Sequence, residues 1–167
     1  AVVHFRKPRR MLLFTGPPFD NARDGECARR LANYPGGRVV CGGTTANIVA
    51  REWKRSISMD LTSDTNGLPP TSVMDGFDLI TEGIFTLTRA AQYLEEDDYV
   101  KHADPAGRLA DVMRSHDIIE FMVGTRVNET HQDPNLPVDI EIRRNIVKRL
   151  AAALGDRHLK QTQTHYA

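Results

Sequence analysis

The chain has 167 residues, of which 40% are hydrophobic and 26% are charged. This length suits one domain with a proper core, because domains cluster at about 100–150 residues. Basic and acidic residues number 22 each, so there is no net basic field of the kind that attracts nucleic acid. We therefore expect a soluble globular domain and exclude nucleic acid as a partner.

Apolar runs and cysteines indicate the compartment. No apolar run approaches the ~20 residues that span a bilayer, so we expect no membrane partner. Cys27 and Cys41 show no pairing pattern, which is typical of a reducing cytoplasm. We interpret residues 1–10, with the basic run Arg6–Arg10, as a lead or interdomain linker, and residues 11–167 as a single α/β domain.

In the first part of the chain, strand and helix patterns alternate. Met11–Phe14 predicts a short buried strand that ends at two prolines, which cannot extend a ladder. Asp24–Tyr34 carries apolar residues at helical spacing. A second strand over Arg38–Cys41 then leads into a helix over Thr44–Trp53. Ser56–Leu61 alternates between polar and apolar residues, which predicts an edge strand with one solvated face.

The remaining elements continue the alternation. They are a turn-rich loop at Thr62–Ser72, a strand at Phe77–Ile80, a helix to about Glu95, a helix from the Asp104-Pro105 cap to about Ser115, a strand at Ile118–Val123, a polar loop at Val127–Pro137, a helix from Pro137 to Leu154 that Gly155 caps, and an edge strand at Leu159–Tyr166. Repeated strand-turn-helix units require a parallel sheet. We predict a three-layer α/β/α domain with a mostly parallel, Rossmann-like sheet of five or six strands.

The clearest binding signal is the turn between the second strand and its helix. Gly42 and Gly43 can turn tightly and let a ligand approach the backbone. Thr44 or Thr45 is expected to cap the helix, and the helix amino terminus favours an anion. The segment is neither a Walker loop nor a complete dinucleotide fingerprint. An ordinary capped helix with a glycine turn is the alternative.

Ligands of open α/β sheets bind at the carboxyl ends of the strands. Small and polar residues follow most of the predicted strands in this chain, which indicates a shared pocket. The candidate ligand-binding residues are Gly16, Gly42, Gly43, Thr44, Thr45, Asn47, Thr81, Glu82, Thr125, Arg126, Asn128, His131 and Asp133.

Several of these side chains allow two interpretations. Glu82 either caps the helix that follows it, accepts a hydrogen bond from a ribose or amine, or binds a metal. His131 is a candidate general base, and Asp133 could instead shape the turn before the next helix. His131 with Asp133 and Glu129 could instead bind a divalent ion, but no zinc-ligand spacing is present, so we predict no metal site. Cys41 is either an activated thiolate at a helix amino terminus or a buried core residue; Trp53 is interpreted as a packing residue.

Five segments together resemble the C-terminal region of bacterial phosphatases of the stage II sporulation protein E family, over roughly Arg10 to Tyr166. They are Leu13–Pro18, Val40–Thr45, Asp78–Gly83, Gly124–Glu129 and His131–Pro137. The resemblance implies an accessory domain beside an upstream metal-dependent serine/threonine phosphatase domain. Asp60 and Asp64 do not form the Ser-Asp-Gly motif of that catalytic domain, so no catalytic residue is carried over.

Three functional hypotheses follow. The first is a ligand-sensing or regulatory domain that binds a small anionic ligand, of the phosphate or nucleotide type, and adjusts an attached phosphatase. The second is an enzyme that acts on a phosphorylated or nucleotide substrate through Glu82, Arg126 and His131. The third is a homodimerisation module that pairs through an edge strand. The sequence identifies no cofactor.

Overall fold

The computed structural model describes residues 1–3, 5–61, 65–96, 101–126 and 136–167, without the side chains of 136–140. The strands within these residues are β1 (Arg10–Thr15), β2 (Gly37–Cys41), β3 (Ser58–Met59), β4 (Ser72–Val73), β5 (Leu79–Thr81), β6 (Ile118–Val123) and β7 (Gln161–Tyr166). The α-helices are α1 (Asp24–Ala32), α2 (Gly43–Trp53), α3 (Ile84–Glu95), α4 (Pro105–Ser115) and α5 (Leu136–Asp156).

One sheet holds all of these strands, in the order β3-β4-β5-β2-β1-β6-β7. The five strands from β5 to β7 pair in parallel, and β4 is antiparallel to both of its neighbours. From β1 the chain passes to β2 and then to β3 at the edge of the sheet. It returns through β4 to β5, which lies beside β2, and then crosses to β6 and β7 on the other side of β1. The strand order therefore reverses between β1 and β6, which is the switch point of a doubly wound sheet.

Helices cover both faces of the sheet and form two cores. Met11 and Leu13 of β1 belong to the core beneath α3, α4 and α5. Leu12 and Phe14 belong to the core beneath α1 and α2. Successive side chains of a strand point to opposite faces, so the continuous apolar run of β1 supplies both cores. This arrangement confirms the predicted three-layer α/β/α fold with a mostly parallel sheet.

The sheet has seven strands in the described residues rather than five or six, because Ser72–Val73 forms β4 at the end of the predicted loop. A two-residue strand is too short to show a period. The edge strand predicted over Ser56–Leu61 exists as β3, but it keeps only Ser58 and Met59. Ile57 packs against the core beneath α1 and α2, but Met59 is 66% exposed and Leu61 is 77% exposed, so the described residues cover only part of the apolar side of this segment.

The predicted start of α4 is confirmed, and the predicted end of α5 is wrong. The Asp104 side chain caps α4 by accepting a hydrogen bond from the Gly107 backbone N–H at 2.8 Å. Gly155 does not cap α5, because the helix continues to Asp156. Leu159 adopts the left-handed conformation instead, with φ 53°, and the chain turns there into β7. No helix in the described part of the chain combines the length and apolar character needed to cross a membrane.

Candidate ligand-binding site

The carboxyl ends of the parallel strands form one edge of the sheet, which we call the carboxyl rim. Thr15 pairs in register with Cys41 and with Val123, and Cys41 pairs with Thr81. Neighbouring strands lie about 4.8 Å apart, so Thr81 and Val123 are about 14 Å apart along the rim. The turns that follow these four residues therefore lie on the same rim.

The turns after β2 and β5 pack side by side. The Gly42 N–H donates to the Thr81 carbonyl at 2.9 Å, and Gly42 has a φ of 122°. A Cβ added to Gly83 would lie 3.6 Å from the Gly42 Cα. A Cβ added to Gly43 would lie 3.1 Å from Glu82 Oε1. The Glu82 carboxylate thus lies against the first turn of α2.

The predicted threonine cap of α2 is wrong. The helix begins at Gly43, one residue earlier than expected, and its N-cap is Gly42 without a side-chain hydrogen bond. Thr44 and Thr45 are therefore past the cap position; Thr45 is buried and Thr44 is exposed. Asn47 is exposed one turn further along α2.

Glu82 does not cap α3 either. The N-cap of α3 is Gly83, which makes no side-chain cap hydrogen bond. Its carboxylate lies instead against the first turn of α2, where a negative charge complements the helix dipole, so the structural and the ligand-binding interpretations both stay open.

At the switch point, the segments after β1 and β6 run in direct contact. Gly124 N–H donates to the Thr15 carbonyl at 2.9 Å, and Arg126 N–H donates to the Pro17 carbonyl at 3.2 Å. A Cβ added to Gly124 would lie 2.0 Å from the Pro17 carbonyl oxygen, so this position requires glycine. The Thr125 hydroxyl donates to the Ala167 carbonyl at 3.0 Å, which gives Thr125 a structural role.

Thr15 is the last residue of β1, and its side chain has no exposed surface. Its hydroxyl has no hydrogen-bond partner among the described residues. Strand alternation places Thr15 on the same face as Met11 and Leu13, which is the face that α5 covers. Buried hydroxyl groups nearly always have a partner, so an orphaned one requires an explanation.

Arg143 extends from α5 to the same place. A Cβ added to Gly16 would lie 2.8 Å from Arg143 Nη1, and Gly16 has a φ of 77°. The glycine therefore leaves room for the guanidinium beside the end of β1. The sequence did not identify Arg143, since it lies among other charged residues of α5 and resembles part of a solvated helix face.

Arg126 contacts a buried carboxylate on the opposite face of the sheet. Asp24 is 4% exposed, and its Oδ2 accepts a hydrogen bond from Arg51 Nη2 at 2.8 Å. Arg126 Nη2 lies 3.8 Å from Asp24 Oδ1. This ion pair gives Arg126 a role within the protein, so we do not assign it to ligand binding.

Cys41 is a core residue and not an activated nucleophile. Complete burial raises the pKa of the Cys41 thiol to about 12, although the Thr81 hydroxyl opposes this effect. That hydroxyl lies 3.3 Å from the sulfur and 2.9 Å from the Glu82 carbonyl oxygen. A thiol of this kind stays protonated at neutral pH, and only the thiolate is a nucleophile.

The remaining predicted site residues lie outside the described part of the chain. They are Asn128, Glu129, His131 and Asp133. In the residues that the structure describes, no group of three or more His, Cys, Asp or Glu side chains converges on a point that could hold a metal ion.

No protein-family model, curated protein or solved structure matches the chain.

Proposed function

We propose that the chain is a ligand-sensing regulatory domain whose carboxyl rim binds a small anionic ligand of the phosphate or nucleotide type. Doubly wound sheets bind ligands where the strand order reverses, and this sheet reverses between β1 and β6. The observation that carries the proposal is the buried Thr15 hydroxyl, which has no hydrogen-bond partner among the described residues. It lies one residue before Gly16, against which the Arg143 guanidinium is placed.

The charges along the rim favour a particular orientation of the ligand. Glu82 lies against the first turn of α2, so an anion at that helix terminus would meet a carboxylate. The anionic group is better placed beside Gly16, where Arg143 provides a guanidinium that suits phosphate geometry. Glu82 follows β5, two strand spacings or about 10 Å from the end of β1, and would then accept hydrogen bonds from ribose hydroxyls. A nucleotide can contact both Arg143 and Glu82, whereas inorganic phosphate can contact only Arg143.

The resemblance to the stage II sporulation protein E family supports placing this domain beside a serine/threonine phosphatase. In such a protein, ligand occupancy of the rim would be the regulatory input. The upstream phosphatase domain is part of this proposal, and it is tested separately by measuring phosphatase activity of the longer protein with and without the ligand.

Isothermal titration calorimetry tests the binding step directly, with AMP, GMP, adenosine and inorganic phosphate as probes. We expect a nucleotide to bind, and Arg143→Gln to weaken it at least about tenfold, since a charge-assisted hydrogen bond contributes about 1.5–3 kcal/mol. Glu82→Gln should weaken binding of the nucleotide but leave binding of inorganic phosphate unchanged.

Arg144→Gln is the matched control for Arg143. Arg144 is the next residue of α5, and its guanidinium carbon lies 5.0 Å from the centre of the Tyr166 ring. Its loss removes the same charge without changing the contact at Gly16. Absence of binding heat with every probe, or equal weakening by the Arg143 and Arg144 variants, would contradict the proposed site.

A further inference from the structure

A concave site lies away from the carboxyl rim, near the amino end of β2. It has a volume of about 370 Å³ and is lined by Ala32, Arg38, Trp53, Arg55, Asp75 and Gly76. We call it the Trp53 groove. Small-molecule sites typically enclose about 300–1,000 Å³, so the groove is large enough for a compact ligand.

The Trp53 indole ring and two arginine guanidinium groups line the groove. The guanidinium carbons of Arg38 and Arg55 lie 6.0 Å and 5.3 Å from the centre of the Trp53 ring. The indole N–H donates to the Ala28 carbonyl at 3.2 Å, and the Phe77 ring packs 4.8 Å away, centre to centre. The indole is therefore held in place before any ligand binds.

Within the described residues the Arg38 side chain makes no ion pair, although the Asp78 carboxylate accepts a hydrogen bond from the Arg38 backbone N–H at 2.7 Å. Its Nη1 and Nη2 donate to the carbonyl oxygens of Gly76 and Tyr34 at 3.5 Å and 3.3 Å, both longer than the usual distance of about 2.9–3.0 Å. Its Nε is buried without an acceptor. A partly buried guanidinium without a counterion is costly, which points to an anion that completes the site.

Arg55 can supply a second contact. It pairs with Asp75 at 2.8 Å, but the Asp75 side chain is 92% exposed. Ion pairs at such exposed positions contribute little free energy, so an incoming anion can displace Asp75. Gly76 has a φ of 86°, and a Cβ there would lie 3.0 Å from Arg55 Nη1. Glycine at this position therefore keeps the guanidinium accessible.

We propose that the Trp53 groove binds a small organic anion. A carboxylate or phosphate group of the ligand pairs with Arg38 and Arg55, and an adjoining planar group lies against Trp53. The planar fork of a guanidinium matches both kinds of anion, and an indole contributes a large rigid contact surface. This site does not depend on the carboxyl rim.

Intrinsic fluorescence reports on the groove, because Trp53 is the only tryptophan of the chain. The probes are benzoate, phenyl phosphate and inorganic phosphate, with benzyl alcohol as the uncharged analogue. We expect a saturable fluorescence change with benzoate or phenyl phosphate, and the comparison of the two distinguishes carboxylate from phosphate recognition. No saturable change with either at millimolar concentrations, or an equal response to benzyl alcohol, would overturn the proposal.

Variants separate the groove from general charge effects. Arg38→Gln should weaken binding of the effective probe at least about tenfold, and Arg55→Gln should weaken it less. Lys54→Gln removes a neighbouring positive charge that does not line the groove, and Arg143→Gln alters only the carboxyl rim; both should bind as the wild type does. Should Arg38→Gln fail to fold by circular dichroism, Arg55→Gln decides. Unchanged affinity in the folded groove variants would overturn the proposal.

Discussion

Replacing Thr15 by valine isolates the contribution of its orphaned hydroxyl. Valine has nearly the same shape and keeps the β-branched side chain that suits a strand. A buried polar group without a hydrogen bond costs about 1–3 kcal/mol. The Thr15 hydroxyl is fully buried and has no partner in the part of the chain that the structure describes, so Thr15→Val should raise the free energy of unfolding by about 1–3 kcal/mol in the absence of ligand.

Urea denaturation measures this change as a higher midpoint with an unchanged slope. A gain of 1 kcal/mol should also raise the melting temperature by about 2–4 °C for a domain of this size. The same variant should bind a nucleotide more weakly than the wild type, because the hydroxyl is lost from the site. Thr15→Val should therefore raise the stability of the domain and lower its affinity for the ligand.

Thr81→Val is the matched control. Thr81 occupies the equivalent rim position of β5 and is also buried, but its hydroxyl has partners in Cys41 and in the Glu82 carbonyl. Its loss should destabilise the fold by about 1 kcal/mol. If Thr15→Val destabilises the protein as much as Thr81→Val does, the Thr15 hydroxyl is bonded within the protein. The main support for the rim site would then be lost.

Further predictions concern glycines, acid stability and thiols. Gly124→Ala should destabilise the fold by about 3 kcal/mol, because the new Cβ meets the Pro17 carbonyl, whereas Gly155→Ala should stabilise α5 by about 0.5–1 kcal/mol in urea denaturation. Burial raises the pKa of Glu120, but hydrogen bonds from Arg10 and Tyr34 outweigh burial and lower it overall. Its ionised form therefore stabilises the fold above the ordinary glutamate pKa, and the stability advantage of the wild type over Glu120→Gln should shrink as the pH falls below about 4.5. Cys27 and Cys41 are buried with raised pKa values, so a thiol reagent should label neither in the native protein and both in urea; rapid native labelling of Cys41 would contradict its placement in the core.

The fold could be predicted from the sequence where local signals agree with the global arrangement. The Asp104 cap followed by Pro105 fixed the start of α4, and the continuous apolar run at Ile118–Val123 identified a central strand. Predictions failed where a nonlocal contact decided the outcome. The two residues of β4 are strand only because β3 and β5 flank them, and the chain turns at Leu159 rather than at Gly155.

The sequence predicted the backbone turns of the candidate site but not the charged side chains that lie beside them. The glycine turns after β1, β2 and β6 were visible in the sequence, because turns at strand ends need small residues. The side chains that give these turns their charge were not. Arg143 reaches Gly16 from a helix distant in the sequence, and Glu82 lies against the first turn of α2 rather than on its own helix. Trp53 looked like a packing residue, since nothing local showed that Arg38 and Arg55 would flank it.

An NMR titration of ¹⁵N-labelled protein with AMP shows which surface of the domain binds the ligand. If the carboxyl rim is the ligand site, the backbone amides of Gly16, Gly43 and Gly83 should shift in a saturable way. Shifts at Arg38 and Gly76 would report AMP in the Trp53 groove and would bear on that proposal alone. Shifts confined to any other surface, with the rim amides unmoved at saturating AMP, would contradict the account.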